Sequence, residues 1–244
     1  MWFKSSVLKT CLVASLLPLS VAHAEIIIHG TRAIYPAEAR EISLQLSNNG
    51  DSPSLVQVWI DEGDRKSTPD ASKAPFMINP PISRVDGQKS QTLRITRLPN
   101  AQQLSKTQET LYWLNVLDIP PKPTAQEGEA ENFLQLAVRS RIKFFYRPQG
   151  LKIKASEAPS KIVWQVAGSQ LKLKNPTPYH ITLTSILQDQ VGQKVDLLPE
   201  GLMLLPFSEQ HVSLKGSNVK NMIFTTINDY GGRVESDIKF NESR

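Results

Sequence analysis

Phe133 to Tyr146 reads FLQLAVRSRIKFFY and is the longest strand candidate in the chain. Leu134, Leu136 and Val138 recur at period two, with Gln135 and Ala137 between them, so the three share one face of an extended segment. Two accounts of that face stand side by side. The three side chains pack into their own core, or they form an apolar comb on an edge strand offered to another protein. A long exposed edge of this kind invites aggregation, so keeping one implies a use for it. Arg147-Pro148-Gln149-Gly150 ends the segment, because proline and glycine together stop a strand and set a bend.

Strand signals continue on both sides of that break. Upstream, EISLQLS (41–47), LVQVWI (55–60), QTLRITRL (91–98) and LYWLNVLDI (111–119) alternate or run apolar, and turn clusters separate them. Pro120-Pro121 closes the last of these, and a polar linker spans 122–132. Downstream, short strands are expected at 161–166, 170–174, 180–187, 210–214, 221–227 and 233–240. The single helix candidate, 101–109, is short and polar. Short strands at regular spacing, interrupted by turn residues, indicate an all-β chain of two sandwiches divided at Arg147.

The N-terminus reads as an export leader. Lys4 and Lys9 precede the apolar CLVASLLPL (11–19), and Ala22-His23-Ala24 supplies a small-x-small cleavage site. That division gives a leader at 1–24, a first domain at 25–147 and a second at 148–244. The apolar run is too short to span a membrane, and Lys9-Thr10 is a poor lipidation context for Cys11. Cys11 is the only cysteine, so the mature chain would have no disulfide and must rely on well-filled cores. The leader holds two of the 28 Lys+Arg and none of the 23 Asp+Glu, which leaves a balance of +3. So mild a charge on an exported chain argues against nucleic acid as a partner.

Catalytic and metal-binding patterns are missing from the sequence. His23, His29, His180 and His211 are scattered without ligand spacing, and there is no nucleophile elbow or phosphate-cradling glycine loop. Asp229, beside Tyr230-Gly231-Gly232, reads locally as a turn residue. No cofactor and no metal are expected, and an enzyme is disfavoured.

Five segments, taken in order, resemble the periplasmic pilus-assembly chaperones over essentially the whole mature chain. They are TRAIYP (31–36), YWLNV (112–116) leading to IPP (119–121), RIKFFYRP (141–148), NPTPY (175–179) and INDYGG (227–232). The resemblance implies two immunoglobulin-like β-sandwich domains in a boomerang arrangement, with a cleft between them. It implies that Arg32 and Lys143 anchor the C-terminal carboxylate of a pilus subunit, and that Leu134, Leu136 and Val138 are donor residues completing the subunit's unfinished sandwich. It further implies an interdomain ionic network of Glu109, Arg147 and Asp229, and delivery to an outer-membrane usher from the periplasm without ATP. The short linker is similar to that of relatives serving rod-like pili. Self-association of the free form is left open. The main rival is a structural or adhesive pair of sandwiches, which would have no reason to keep Arg32 with Lys143. One point of geometry stands out: Lys143 has the opposite parity to the comb, and a bulge near Ser140 would reconcile them.

Overall fold

The computed structural model describes residues 26–99, 104–122, 135–190 and 192–240. The first unit contains nine strands: β1 (Ile26–Ile28), β2 (Arg32–Pro36), β3 (Glu41–Asn48), β4 (Ser54–Asp61), β5 (Phe76–Asn79), β6 (Ile82–Val85), β7 (Ser90–Arg97), β8 (Thr110–Ile119) and β9 (Val138–Arg147). They form a sheet in the order β1-β3-β7-β5, facing a sheet in the order β2-β9-β8-β4-β6. Alternation drives the assembly. Leu44, Leu46, Val56, Val58, Leu93 and Ile95 point inward at period two, around an aromatic centre of Tyr35, Phe76, Tyr112 and Phe144.

The second unit has β10 (Val163–Ala167), β11 (Gln170–Lys174), β12 (Ile181–Gln190), β13 (Gln193–Asp196), β14 (Leu202–Leu204), β15 (Glu209–Ser213), β16 (Ile223–Ile227) and β17 (Arg233–Asp237). Here a three-stranded sheet, β10-β11-β15, packs on a five-stranded one built around β12 and β16. Trp164, Leu171, Leu173, Leu183, Ile186 and Phe224 fill the space between them. Two separate cores fit a chain with no cysteine after Cys11.

The first strand of the chain is split between sheets. Residues 26–28 pair with β3, the backbone turns at Gly30 with φ of 133°, and 32–36 then run parallel to β9. Only glycine enters that conformation without strain. The crossing decides what β9 looks like to the outside. β2 covers 143–147 alone, so among the described residues 138–142 have β8 on one side and no strand on the other. β9 is therefore an interior strand at its C-terminal half and an edge strand only at its N-terminal half.

Three expectations need correction. The strand expected over 133–146 begins at Val138, while 135–137 have no ladder partner and 133–134 fall outside the described residues. Its partner β8 runs into Pro120-Pro121, which have no N–H to extend the ladder, and the Gln135 side chain donates to the Pro120 carbonyl at 2.6 Å instead. The helix candidate at 101–109 does not form over 104–109, and 101–103 lie outside the described residues. Ser105 Oγ accepts from the Thr107 and Gln108 N–H groups, a local alternative to helix, and Leu104 turns into the core. No bulge occurs near Ser140, since the β8–β9 register is continuous from Asp118↔Val138 to Thr110↔Tyr146. The short 3₁₀ turns lie elsewhere, at Pro69–Ala71 and Ala155–Lys161.

Candidate functional site

Strand parity sorts β9 into two faces. Ile142, Phe144 and Tyr146 point into the first core, while Arg139, Arg141, Lys143, Phe145 and Arg147 point outward. Leu136 and Val138 share the parity of the core residues, yet they are 64% and 48% exposed, because the segment runs past the packed part of the sandwich. Neither is a core residue. Leu134 lies outside the described residues. Val138 and Lys143 thus sit on opposite faces of β9, as their parity requires.

Arg32 opens β2 and is the register partner of Lys143 in the parallel ladder. Two cations are therefore neighbours across one strand pair, both part-buried. Lys143 Nζ donates to Thr182 Oγ1 at 3.0 Å, and Arg32 Nη1 donates to the Ile227 carbonyl at 3.3 Å, so both reach the second unit. Arg32 Nε is buried without a hydrogen-bond partner, and among the described residues neither cation forms an ion pair. Burial, and then the charge of Arg32, push the Lys143 ammonium down to about 8. Burial also lowers Arg32, against the opposing pull of Asp229 and Glu109. The pair places two positive groups side by side at the edge of the second unit, with Thr182 and the Ile227 carbonyl as their hydrogen-bond partners.

Beside it lies an ionic network. Arg147 Nε donates to Glu109 Oε1 at 2.8 Å, and its two terminal nitrogens donate to the Asp229 carboxylate at 2.7 and 2.8 Å. Burial works against the Arg147 charge, but the hydrogen bonds and charges of Asp229 and Glu109 outweigh it and raise the group above its ordinary range. Glu109 Oε2 accepts the His180 backbone N–H at 2.9 Å, and the Arg147 guanidinium lies 5.3 Å from the Tyr179 ring centre. Phe145 packs against His180, with ring centres 5.3 Å apart. Arg147 belongs to the first unit, Asp229 and His180 to the second, so the network joins the two. A cleft of about 580 Å³ is lined by Arg32, Arg147, Tyr179, Asp229 and Tyr230.

The structure thus brings Arg32 to Lys143, and Glu109 and Asp229 to Arg147. Sequence reasoning passed over Thr182, the Ile227 carbonyl and His180, which carry no pattern of their own. It also passed over a cluster on the outward face of β9, where Asp61, Asn115, Arg139 and Arg141 interlock. A signal for that cluster was present: Arg139, Arg141 and Lys143 alternate through the segment, which gives a charged face opposite an apolar one. No group of acids, histidines and cysteines suited to a metal occurs among the described residues.

Comparison with known proteins identifies both units. Residues 25–152 match the family described as pili and flagellar-assembly chaperone, PapD N-terminal domain, and residues 157–238 match the pili assembly chaperone PapD C-terminal domain. The chain is 46% identical over 216 residues to the chaperone protein MrkB of Klebsiella pneumoniae, covering 87% of this chain and 91% of that one. Among solved structures, the Pseudomonas aeruginosa CupB2 chaperone superposes with a TM-score of 0.74 at 32% identity, over 88% of this chain and all of that one. The Salmonella enterica SafB chaperone, solved in complex with the SafA pilin, gives a TM-score of 0.71 at 26% identity, over 87% and 96% of the two chains.

Proposed function

Because this chain belongs to the pilus-assembly chaperones, a family without enzymatic activity, we propose that it captures a pilus subunit by lending it the N-terminal half of β9. The observation that carries this reading is the free edge at 138–142, which ends at Arg32 and Lys143, two cations that form no ion pair among the described residues. An incoming strand can pair along this edge as far as Ile142. At Lys143 the edge is already taken by β2, so the visitor must stop, and its terminal carboxylate then lies against Arg32 and Lys143. The anchor sets the register and the comb fills the client.

Both parts have an energetic basis. Charge-assisted hydrogen bonds from the two cations contribute roughly 1.5–3 kcal/mol each. Burying Leu136 and Val138 in an open pilin core contributes about 3–6 kcal/mol before ordering costs, and Leu134 is proposed as the third donor. Leu136 lies seven residues from Lys143, about 23 Å along an extended strand, so anchor and comb act at opposite ends of one contact. The Glu109–Arg147–Asp229 network is proposed to hold the two units at a fixed angle and keep Thr182 and Ile227 near the cations. Subunit folding and strand addition run downhill together, so no ATP and no cofactor are required. The complex would form in the periplasm after removal of residues 1–24, with delivery to an outer-membrane usher. We place the domain division at Arg147–Pro148, where β9 ends.

Co-expression with a pilus subunit, followed by recovery from the periplasm, tests the anchor. Arg32→Ala and Lys143→Ala should each abolish capture while the protein stays folded. Undiminished recovery with both residues replaced refutes the anchor role.

A further inference from the structure

The half of β9 that is offered to the client is also the half least supported by the fold. Among the described residues, 138–142 have one strand neighbour, and of their inward side chains only Ile142 packs on the core. A strand so poorly held would fray, and the cost of ordering it would fall on the capture step. The outward face carries the compensating contacts. Asp61, at the end of β4, has a fully buried side chain on a sheet face where an ordinary polar residue would stay wet. Arg141 Nη2 donates to Asp61 Oδ1 at 2.5 Å, and Asn115 Nδ2 donates to Asp61 Oδ2 at 2.7 Å. Asn115 Oδ1 in turn accepts from Arg139 Nε and Nη2 at 3.0 and 2.7 Å.

The arginines are held flat as well as paired. Arg139 lies 4.6 Å from the Trp59 ring centre and Arg141 lies 4.3 Å from that of Trp113. Arg139 also donates to the Arg65 carbonyl at 3.0 Å, in the loop that follows β4. The cluster therefore runs from β4 through β8 to β9 and fastens on the two residues, 139 and 141, that lie within the free-edge stretch. Burial would raise the Asp61 carboxyl, but hydrogen bonds from Arg141, Asn115 and the Gly63 N–H hold it below its ordinary range, so the brace is charged at neutral pH.

We propose that Asp61 is a positioning residue for subunit capture: through Asn115, Arg139 and Arg141 it braces the outward face of the lent half-strand, so that its free edge is extended before a client arrives. This rests on the donor-strand reading above. It assigns the cluster to readiness for binding, since it touches neither the cation pair nor the interdomain network.

Amide hydrogen exchange on the free protein and periplasmic pilin recovery, measured together, test it. Asp61→Asn should speed exchange at 138–142 at least tenfold, leave 93–95 and 144–146 unchanged, and cut recovery of the co-expressed pilin at least fivefold. Arg139→Ala, at a side chain 27% exposed whose 3.7 Å ion pair with Asp61 is longer than that of Arg141, should shift both readouts the same way by a smaller factor. It decides the matter if Asp61→Asn fails to fold. Wild-type exchange at 138–142 in both variants overturns the proposal, as does faster exchange spread equally over 93–95 and 144–146. Should the unaltered chain recover no pilin, the donor-strand reading fails, and the exchange measurement still decides the brace.

Discussion

Replacing Lys143 by Met should make the free protein more stable while it destroys capture. Lys143 is charged at neutral pH in a part-buried position beside Arg32, with one hydroxyl partner and no acid. Its fall from the ordinary 10.5 to about 8 corresponds to at most about 3.4 kcal/mol of unfavourable charging, and screening by the solvent that still reaches it reduces this to roughly 1–2 kcal/mol. Met keeps the length and removes the charge, and the part-buried Thr182 can turn its hydroxyl to water. The sign follows from proton counts. Below pH 8 both folded and unfolded states hold the proton and the penalty is complete. Between about 8 and 10.5 the unfolded state binds more protons than the folded one, so wild-type stability rises and the advantage of Met shrinks. Urea unfolding of both proteins at pH 7 and at stepped pH up to 10 measures this directly. A variant no more stable than wild type at pH 7, or an advantage that does not shrink with pH, refutes the claim that the cation is held at a cost.

Three further outcomes are expected. Leu136→Glu should reduce pilin recovery at least tenfold with unchanged circular dichroism, because the side chain is mostly exposed in the free protein; global unfolding would instead make it a core residue. Capture by the unaltered chain should weaken as pH rises through about 8, since a neutral Lys143 must take up a proton to meet the carboxylate; binding assays at pH 7 and 9 that agree would contradict this. Arg147→Ala strands Glu109, whose side chain is 2% exposed, and should cost roughly 3 kcal/mol and separate the unfolding of the two units in calorimetry.

The fold was legible in the sequence where burial alternates strictly. EISLQLS and QTLRITRL pair in register as β3 and β7, with Leu44 opposite Leu93. It was less legible where tertiary contacts override local pattern. β1 is only three residues long and β2 is split from it by Gly30, so neither shows a periodic signal of useful length. The start of β9 was placed too early because apolar alternation continues through 134–136, whereas the ladder stops where Pro120 ends its partner. Arg32 and Lys143 are 111 positions apart in sequence, and only the resemblance to a known family drew them together; no spacing rule connects residues joined by a parallel register. Asp61 was hidden for a related reason. As the polar residue after LVQVWI it reads as the first residue of a loop, and its burial depends on arginines contributed by β9.

The donor-strand claim is most directly tested by an exchange footprint of the purified complex between this chain and its pilin. Amides at 138–142 should become strongly protected on binding, with the boundary of protection at Lys143, while the edges of the second unit stay unchanged. Protection confined to those other edges, with 138–142 exchanging as in the free protein, would contradict the account.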